Sequence, residues 1–205
     1  MARLGMVIDL KRCIGCNACT LACKQENGTP AGVFFARVVT NEVGTYPDCT
    51  RTFLPVLCNH CDDPPCQKAC PTGATYTRPD GIVLVDYDKC IGCRACSVAC
   101  PYMNRHFISK GQLQDGYGGN GHGLNSFESV KFDDLQEGIN TKCTFCSHRI
   151  DEGLEPACVV TCPTEARIFG DLEEEDGKLQ TLIAERDGKP LMPECDTKPS
   201  VYYID

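Results

Sequence analysis

The sequence has no tryptophan, four histidines and no long run of apolar residues. No stretch approaches the ~20 consecutive apolar residues that a transmembrane helix requires, so we expect no direct membrane span. Positive charge is also scarce, since 20 lysines and arginines face 28 aspartates and glutamates and the formal net charge is −8. Because contact with phosphates needs clustered lysine and arginine, this balance predicts no nucleic-acid partner.

Signals for export and for catalysis are missing as well. The first nine residues carry neither a long apolar signal region nor a twin-arginine pair. We therefore expect the chain to fold where it is made, or to cross a membrane bound to a partner that carries the signal. The sequence also lacks a nucleophile–base motif, a phosphate-binding loop and a Rossmann fingerprint, which predicts a chain that is not an enzyme on its own.

Cysteine, in contrast, is abundant. Sixteen of the 18 cysteines fall into four groups, which are Cys13-Cys16-Cys19-Cys23, Cys58-Cys61-Cys66-Cys70, Cys90-Cys93-Cys96-Cys100 and Cys143-Cys146-Cys158-Cys162. Groups one and three read C-x2-C-x2-C-x3-C, the spacing of a cubic iron–sulfur cluster with three ligands from one tight loop. Four groups predict four [4Fe–4S] clusters, and such a series indicates a path for electrons rather than a site of bond chemistry.

Two other classes of protein are rich in cysteine. Disulfide-rich secreted domains are one, but they spread fewer cysteines along the chain instead of repeating near-identical groups of four. Structural zinc proteins are the other, since four cysteines commonly bind one zinc ion. Zinc ribbons, however, use two separated C-x2-C pairs. We keep a structural zinc protein as a remote alternative.

The groups repeat in pairs, and their flanks indicate which pair folds together. Between groups two and three, Ala74–Thr77 and Ile82–Asp86 read as short strands around a turn at Arg78–Gly81, which is the hairpin of a bacterial ferredoxin. The segment that follows group four and the segment that precedes group one match the same hairpin. We therefore expect the strand after group four to pair with the strand before group one.

This pattern predicts an α+β protein with two bacterial-ferredoxin-like units, each holding two [4Fe–4S] clusters, one unit nested inside the other. Extra loops and a C-terminal arm complete it. Residues 1–57 and 141–171 form the outer, split unit, and residues 58–108 form the inserted unit. Residues 109–140 form a Gly-rich interface loop, and residues 172–205 form the arm. A loop as long as residues 109–140 is usually functional or ordered by a partner.

Ligation is expected to cross between the groups of a unit, because the fourth cysteine of each loop serves the other cluster. Site 1 is predicted to contain Cys13, Cys16, Cys19 and Cys162; site 2 Cys23, Cys143, Cys146 and Cys158; site 3 Cys58, Cys61, Cys66 and Cys100; site 4 Cys70, Cys90, Cys93 and Cys96. Gly15 and Gly92 lie in the middle of two loops, where the backbone approaches the cluster, and a positive φ is expected there.

The chain resembles the iron–sulfur subunits of dimethyl sulfoxide reductase-family molybdoenzymes. The resemblance is carried by the four groups together with three further motifs, which are Cys58-Asn-His-Cys61-Asp-Asp-Pro-Pro-Cys66, Cys143-Thr-Phe-Cys146-Ser-His-Arg149 and Cys162-Pro-Thr. The terminal stretches Arg3–Asp9 and Val201–Ile204 are most similar to the small subunits of respiratory arsenate, polysulfide and tetrathionate reductases.

The resemblance implies a large catalytic partner that holds a molybdenum or tungsten bis-pterin cofactor, and in many relatives a membrane subunit that handles quinone. The chain is then an electron-transfer subunit of anaerobic respiration, with no catalytic residue of its own, and the molybdopterin belongs to the partner. Site 1 is implied to lie nearest the catalytic subunit. Assembly in the cytoplasm and export with the partner to the periplasmic side are implied, with a cytoplasmic location as the alternative.

Some expectations concern residues outside the four groups. His60 lies between two ligands, where it either donates to a cluster sulfur or serves as a polar loop residue. Cys49 and Cys195 belong to no group and are expected to be free thiols. The alternative to a subunit of a larger enzyme is a free-standing soluble polyferredoxin.

Overall fold

The computed structural model describes residues 2–119 and 121–205. Its strands are β1 (Leu4–Asp9), β2 (Ala36–Thr45), β3 (Asp48–Leu57), β4 (Thr75–Thr77), β5 (Val83–Val85), β6 (His106–Phe107), β7 (Asn140–Thr141), β8 (Arg167–Asp171) and β9 (Val201–Ile204). Its helices are α1 (Ala18–Asn27), α2 (Pro65–Lys68), α3 (Ala95–Ala99), α4 (Ser126–Lys131), α5 (Ser147–Asp151), α6 (Ala157–Val160) and α7 (Lys178–Glu185). Short helices and short strands alternate, as expected for an α+β protein with ferredoxin-like parts.

The largest sheet has strand order β8-β1-β9. Strand β1 pairs antiparallel with β8, with Val7 opposite Ile168, and parallel with β9. Met6, Val7 and Ile8 are fully buried, since one face of β1 packs toward cysteines of groups one and four and the other, together with Ile168 of β8, packs against α7. A strand covered on both faces reads as a continuous apolar run. The predicted pairing of the strand after group four with the strand before group one is confirmed.

A smaller hairpin joins the loops of groups two and three. Strands β4 and β5 pair antiparallel, with Thr75 opposite Val85, and the turn is closed by a 3.0 Å hydrogen bond from the Gly81 N–H to the Arg78 carbonyl. Val83 is buried beside Cys66 and Cys96. The predicted ferredoxin hairpin is present.

Two longer connections also have defined structure. Strands β2 and β3, between groups one and two, form a hairpin whose outer half is exposed on both faces. Among the described residues of the Gly-rich loop, Asn125 caps α4 in a capping box with Glu128, and the buried Glu128 carboxylate accepts from the Asn125 N–H at 2.9 Å. The hydroxyl of Tyr117 donates to the Thr29 carbonyl. This loop is therefore held by contacts within the chain.

The C-terminal arm packs on the chain itself. Helix α7 covers β1 and β8, and β9 extends the main sheet. Just before β9, the Ser200 N–H donates to the Asn59 carbonyl at 2.8 Å, and the Ser200 hydroxyl donates to the His60 carbonyl at 2.8 Å. The arm thus connects β1 with the loop of group two. In the described part of the chain, each helix is too short or too polar to cross a bilayer.

Candidate iron–sulfur sites

The loops of groups one and three have the same backbone path. Gly15 and Gly92 have φ of +68° and +67°, as predicted, and Asn17 and Arg94 follow at φ 61° each. Helices α1 and α3 begin immediately after those two residues. Glycine adopts this positive φ without strain, and a Cβ at Gly92 would meet the Gly138 carbonyl oxygen while one at Gly15 would meet the Phe53 ring, so both positions need glycine. The two turns in succession gather three cysteines of each group around one loop.

The Cys-Pro-Thr turns of groups two and four hold their cysteines in a second shared geometry. The Ala166 N–H donates to Cys162 Sγ at 3.3 Å. Burial raises the pKa of Cys70, but the backbone N–H groups of Thr75 and Thr72 outweigh burial and lower this pKa to about 7. The pKa of Cys162 is lowered in the same way. Amide donors therefore stabilise a thiolate at both turns, and a thiolate is the form that binds metal.

The cysteines predicted for site 3 are brought together. One cavity is lined by Cys58, Cys61, Cys66 and Cys100, with Arg105 at its wall. Burial raises the pKa of Cys61 to about 12. A hydrogen bond to Thr197 opposes this rise, and the charges of the other three thiols of the site add to it. In the neighbouring site 4, burial raises the pKa of Cys96, which also interacts with Cys90 and Cys70.

Cysteines of groups one and four are brought together in the same crossed manner. Burial raises the pKa of Cys23, and repulsion from three nearby thiolates raises it further; these belong to Cys143, Cys158 and Cys146, all from group four. Burial likewise raises the pKa of Cys13, which interacts with Cys19 and with Cys162. Cys23 thus lies beside the first three cysteines of group four, and Cys162 lies beside Cys13 of group one.

The cysteines of the four sites differ in their exposure to solvent. Cys16 of site 1 and Cys93 of site 4 are exposed, whereas the four cysteines of site 2 are all buried. Next to the exposed thiols, Ile14 is 58% and Ile91 67% exposed. Sites 2 and 3 are neighbours, because the charge of Cys58 in site 3 is close enough to the buried Cys143 of site 2 to raise its pKa. The two pairs of groups therefore meet between Cys58 and Cys143.

Three buried cations surround these cysteines. The exposed fractions are 1% for Lys142, 7% for Arg105 and 3% for Arg167. In the described residues none of the three pairs with a carboxylate. A buried cation without a counter-charge is costly, so these side chains require anions beside them.

The residues fit iron–sulfur clusters. Four groups of thiols supply the ligands, amide donors point at thiol sulfurs, and buried cations balance the negative charge that a cluster with its four thiolates carries. Among the residues that the structure describes, no three His, Cys, Asp or Glu side chains are placed to hold a single metal ion.

The residues outside the groups have different surroundings. His60 Nδ1 accepts from the Val83 N–H at 3.1 Å, and its ring stacks on Phe145, so neither of these contacts of the imidazole involves a sulfur. Cys49 is exposed on β3 and Cys195 is half-buried, and neither forms a disulfide. Arg105 and Arg167 were not predicted. An arginine between the apolar residues Ala166 and Ile168, at the start of β8, is the signal that identifies Arg167, whereas Arg105 carries no comparable signal.

Comparisons with known proteins agree with this geometry. A family model described as a 4Fe-4S dicluster domain matches residues 49–114 and 127–172, more than half of the chain, and a 4Fe-4S binding domain matches residues 10–29. An iron–sulfur chain assigned to a dimethyl sulfoxide reductase of Halobacterium salinarum is 46% identical, over 100% of this chain and 79% of that relative.

The arsenate respiratory reductase iron–sulfur subunit of Shewanella sp. strain ANA-3 is 42% identical, over 98% of this chain and 96% of the relative. The chain belongs to the iron–sulfur subunits of the dimethyl sulfoxide reductase family. One chain of the sulfite dehydrogenase of Allochromatium vinosum is also similar to this iron–sulfur subunit, at 41% identity over 100% of this chain and 83% of the relative.

Proposed function

We propose that this iron–sulfur subunit relays single electrons through four [4Fe–4S] clusters, between a molybdenum or tungsten bis-pterin catalytic subunit and a second redox partner. The second partner is a quinone-linked membrane subunit or another electron carrier. The chain itself performs no bond chemistry. The observation that carries the proposal is the position of Cys23, which interacts with the three cysteines Cys143, Cys146 and Cys158 of group four. The Asn27 side-chain amide Nδ2 donates both to Cys23 Sγ, at 3.5 Å, and to Cys146 Sγ, at 3.9 Å.

The proposed ligands follow this crossed arrangement. They are Cys13, Cys16, Cys19 and Cys162 at site 1; Cys23, Cys143, Cys146 and Cys158 at site 2; Cys58, Cys61, Cys66 and Cys100 at site 3; and Cys70, Cys90, Cys93 and Cys96 at site 4. The cavity shared by all four cysteines of site 3 supports the assignment there. Together with the pairing of β1 with β8 and of β4 with β5, it supports one ferredoxin-like unit nested in the other.

The chain's own residues give the relay its order and its two ends. The four cysteines of each site would hold a cluster, which would supply one-electron chemistry. The exposed loops around Cys16 and Cys93 bring site 1 and site 4 to the surface, where a partner can approach. The buried ligands of site 2 exclude water from the middle of the path. We assign the site 1 end to the catalytic subunit and the site 4 end to the second partner.

Substrate and direction belong to the catalytic partner in this proposal. The relatives include subunits of two reductases and of one dehydrogenase, at similar identity to this chain. Subunits similar to this chain therefore belong to enzymes named for opposite directions of reaction. We place the assembled complex on the periplasmic side, exported with the catalytic subunit after cluster assembly in the cytoplasm.

Anaerobic purification of the tagged chain from its native host tests the proposal. We expect four irons for each of the four clusters, EPR signals of four clusters on reduction, and a large molybdenum- or tungsten-containing partner that co-purifies. Zinc without iron overturns both redox interpretations. A monodisperse, fully loaded chain without a pterin-containing partner favours the free-standing polyferredoxin.

A further inference from the structure

We infer that Arg105 and Arg167 set the reduction potentials of the clusters, one guanidinium for each ferredoxin-like unit. Arg105 acts on sites 3 and 4, and Arg167 acts on sites 1 and 2. Neither arginine is a ligand; each places a fixed positive charge beside the ligand sulfurs. The inference rests on the proposed function, because it uses the proposed grouping of the cysteines.

Arg105 lies between the two sites of the inserted unit. Its Nη2 donates to Cys66 Sγ at 2.9 Å, and its Nη1 donates to the Thr75 hydroxyl at 3.1 Å. Its charge interacts with Cys66 and Cys58 of site 3 and with Cys96 of site 4. The side chain is 7% exposed. The guanidinium is thus held in place by one sulfur and one hydroxyl, and it faces ligands of both sites.

Arg167 has the corresponding position in the outer unit. Its Nη1 lies 3.8 Å from Cys158 Sγ and 3.7 Å from Met6 Sδ. Its charge interacts with Cys158 of site 2 and with Cys19 of site 1. Arg167 Nη2 is buried and has no hydrogen-bond partner in the described part of the chain. A buried donor without an acceptor is costly, and a bound cluster supplies acceptor sulfurs beside it.

The two arginines come from different places in the repeat. Ala166-Arg167 follows Cys162 as Ala74-Thr75 follows Cys70, so Thr75 occupies the position that Arg167 has in the other unit. Arg105 comes from a later segment, just before β6, and its Nη1 reaches Thr75. Each unit therefore places a guanidinium at the same location by a different route. A residue inherited from a duplication would occupy the same position in both repeats. The different origins therefore argue that a positive charge is needed at this location.

The sign of the effect follows from electrostatics. Reduction adds one negative charge to a cluster, and burial disfavours that added charge. A fixed cation beside the ligands stabilises the reduced form and so raises the potential. Since no carboxylate among the described residues pairs with either guanidinium, its charge is not cancelled locally. Loss of the charge should lower the potentials of the two adjacent clusters.

The test is a potentiometric titration, followed by EPR, of the complex that carries Arg105→Gln or Arg167→Gln. We expect Arg105→Gln to shift sites 3 and 4 to lower potential, most at site 3, and to leave sites 1 and 2 unchanged. Arg167→Gln should shift sites 1 and 2, most at site 2. Arg105→Lys and Arg167→Lys should restore most of each shift. The control is Arg51→Gln on the exposed hairpin, where Arg51 pairs with Glu42.

The outcomes separate this inference from the proposed function. If wild-type complex lacks four clusters, the proposed function fails. If four clusters are present but the glutamine variants leave every potential unchanged, or shift all four equally, the inference is overturned alone. If a glutamine variant loses iron, Thr75→Val and Met6→Leu replace it, because each removes a neutral contact of the guanidinium and keeps the charge. A smaller shift confined to the same two sites then supports the inference, and no shift or a uniform shift contradicts it.

Discussion

The imidazole of His60 stacks on the phenyl ring of Phe145, with ring centroids 3.8 Å apart and an interplanar angle of 23°. His60 belongs to the loop of group two and Phe145 to the loop of group four. Both side chains are buried, at 0% and 1% exposure. The contact therefore joins the two proposed units at the point where sites 2 and 3 are neighbours.

Replacement of Phe145 by alanine should weaken this junction. Loss of a buried aromatic ring typically costs about 3–5 kcal/mol, through lost burial and the cavity that remains. We expect cluster absorbance of Phe145→Ala to bleach at a lower guanidinium concentration than that of wild type. Phe127, 42% exposed on α4, provides the matched control, and Phe127→Ala should change stability by no more than about 0.5 kcal/mol. Equal effects of the two variants would argue against a buried junction.

Crossed ligation makes a prediction that uncrossed ligation does not. In Cys23→Ala, site 2 should lose its cluster or convert it to a three-iron form, because Cys23 lies with group four. Site 1, served by Cys13 and its neighbours, should keep its EPR signal. The corresponding variant in the inserted unit, Cys100→Ala, should affect site 3 and spare site 4. Cys49→Ala, at an exposed thiol outside the groups, should leave every signal intact. Loss of the site 1 signal in Cys23→Ala would refute the crossed assignment.

The geometry of the cysteine loops was predictable from sequence, whereas the position of Arg105 and the pairing of the last strand were not. Cys13, Cys16 and Cys19 share one tight turn, so their spacing alone describes the local geometry. The pairing of β1 with β8 was predictable because the same hairpin occurs twice in the chain. In contrast, Arg105 meets Cys66 across 39 residues of sequence, and nothing local in the segment before β6 indicates a sulfur partner. Likewise Val201–Ile204 shows apolar character but not that it lies parallel to β1.

An ion pair at the end of β1 predicts how stability depends on pH. Burial opposes ionisation of Asp9, but Arg186 and the Arg12 N–H outweigh burial, so the pKa of Asp9 lies below its usual value. The pair is partly buried, with side-chain exposures of 3% for Asp9 and 30% for Arg186. We expect Asp9→Asn to reduce the free energy of unfolding by about 1–2 kcal/mol, less than for a fully buried pair because Arg186 reaches solvent.

The sign of the pH dependence follows from the lowered pKa. A carboxyl group with a lowered folded-state pKa stabilises the protein fully above its unfolded pKa of about 4, and loses that contribution as pH falls through the folded value. The difference between Asp9→Asn and wild type should therefore be constant from pH 8 to about pH 5 and shrink only below about pH 4. Asp187→Asn is the control, because the Asp187–Lys189 pair is exposed. A difference that shrinks already near neutral pH contradicts the assignment.

The Gly-rich loop is expected to act on partner binding rather than on the clusters. The loop contacts the outer unit through Tyr117, whose hydroxyl donates to the Thr29 carbonyl and accepts from Lys24 Nζ at 2.8 Å. Deletion of residues 111–123 should weaken retention of the large subunit on purification while iron content per chain stays close to wild type. Tyr117→Phe, which removes only these hydroxyl contacts, should have the same effect in milder form. Tyr46→Phe, at an 88% exposed tyrosine of the β2–β3 turn, should leave both readouts unchanged. Parallel loss of iron and partner would mean that the loop supports the fold, and unchanged assembly would count against an interface at this loop.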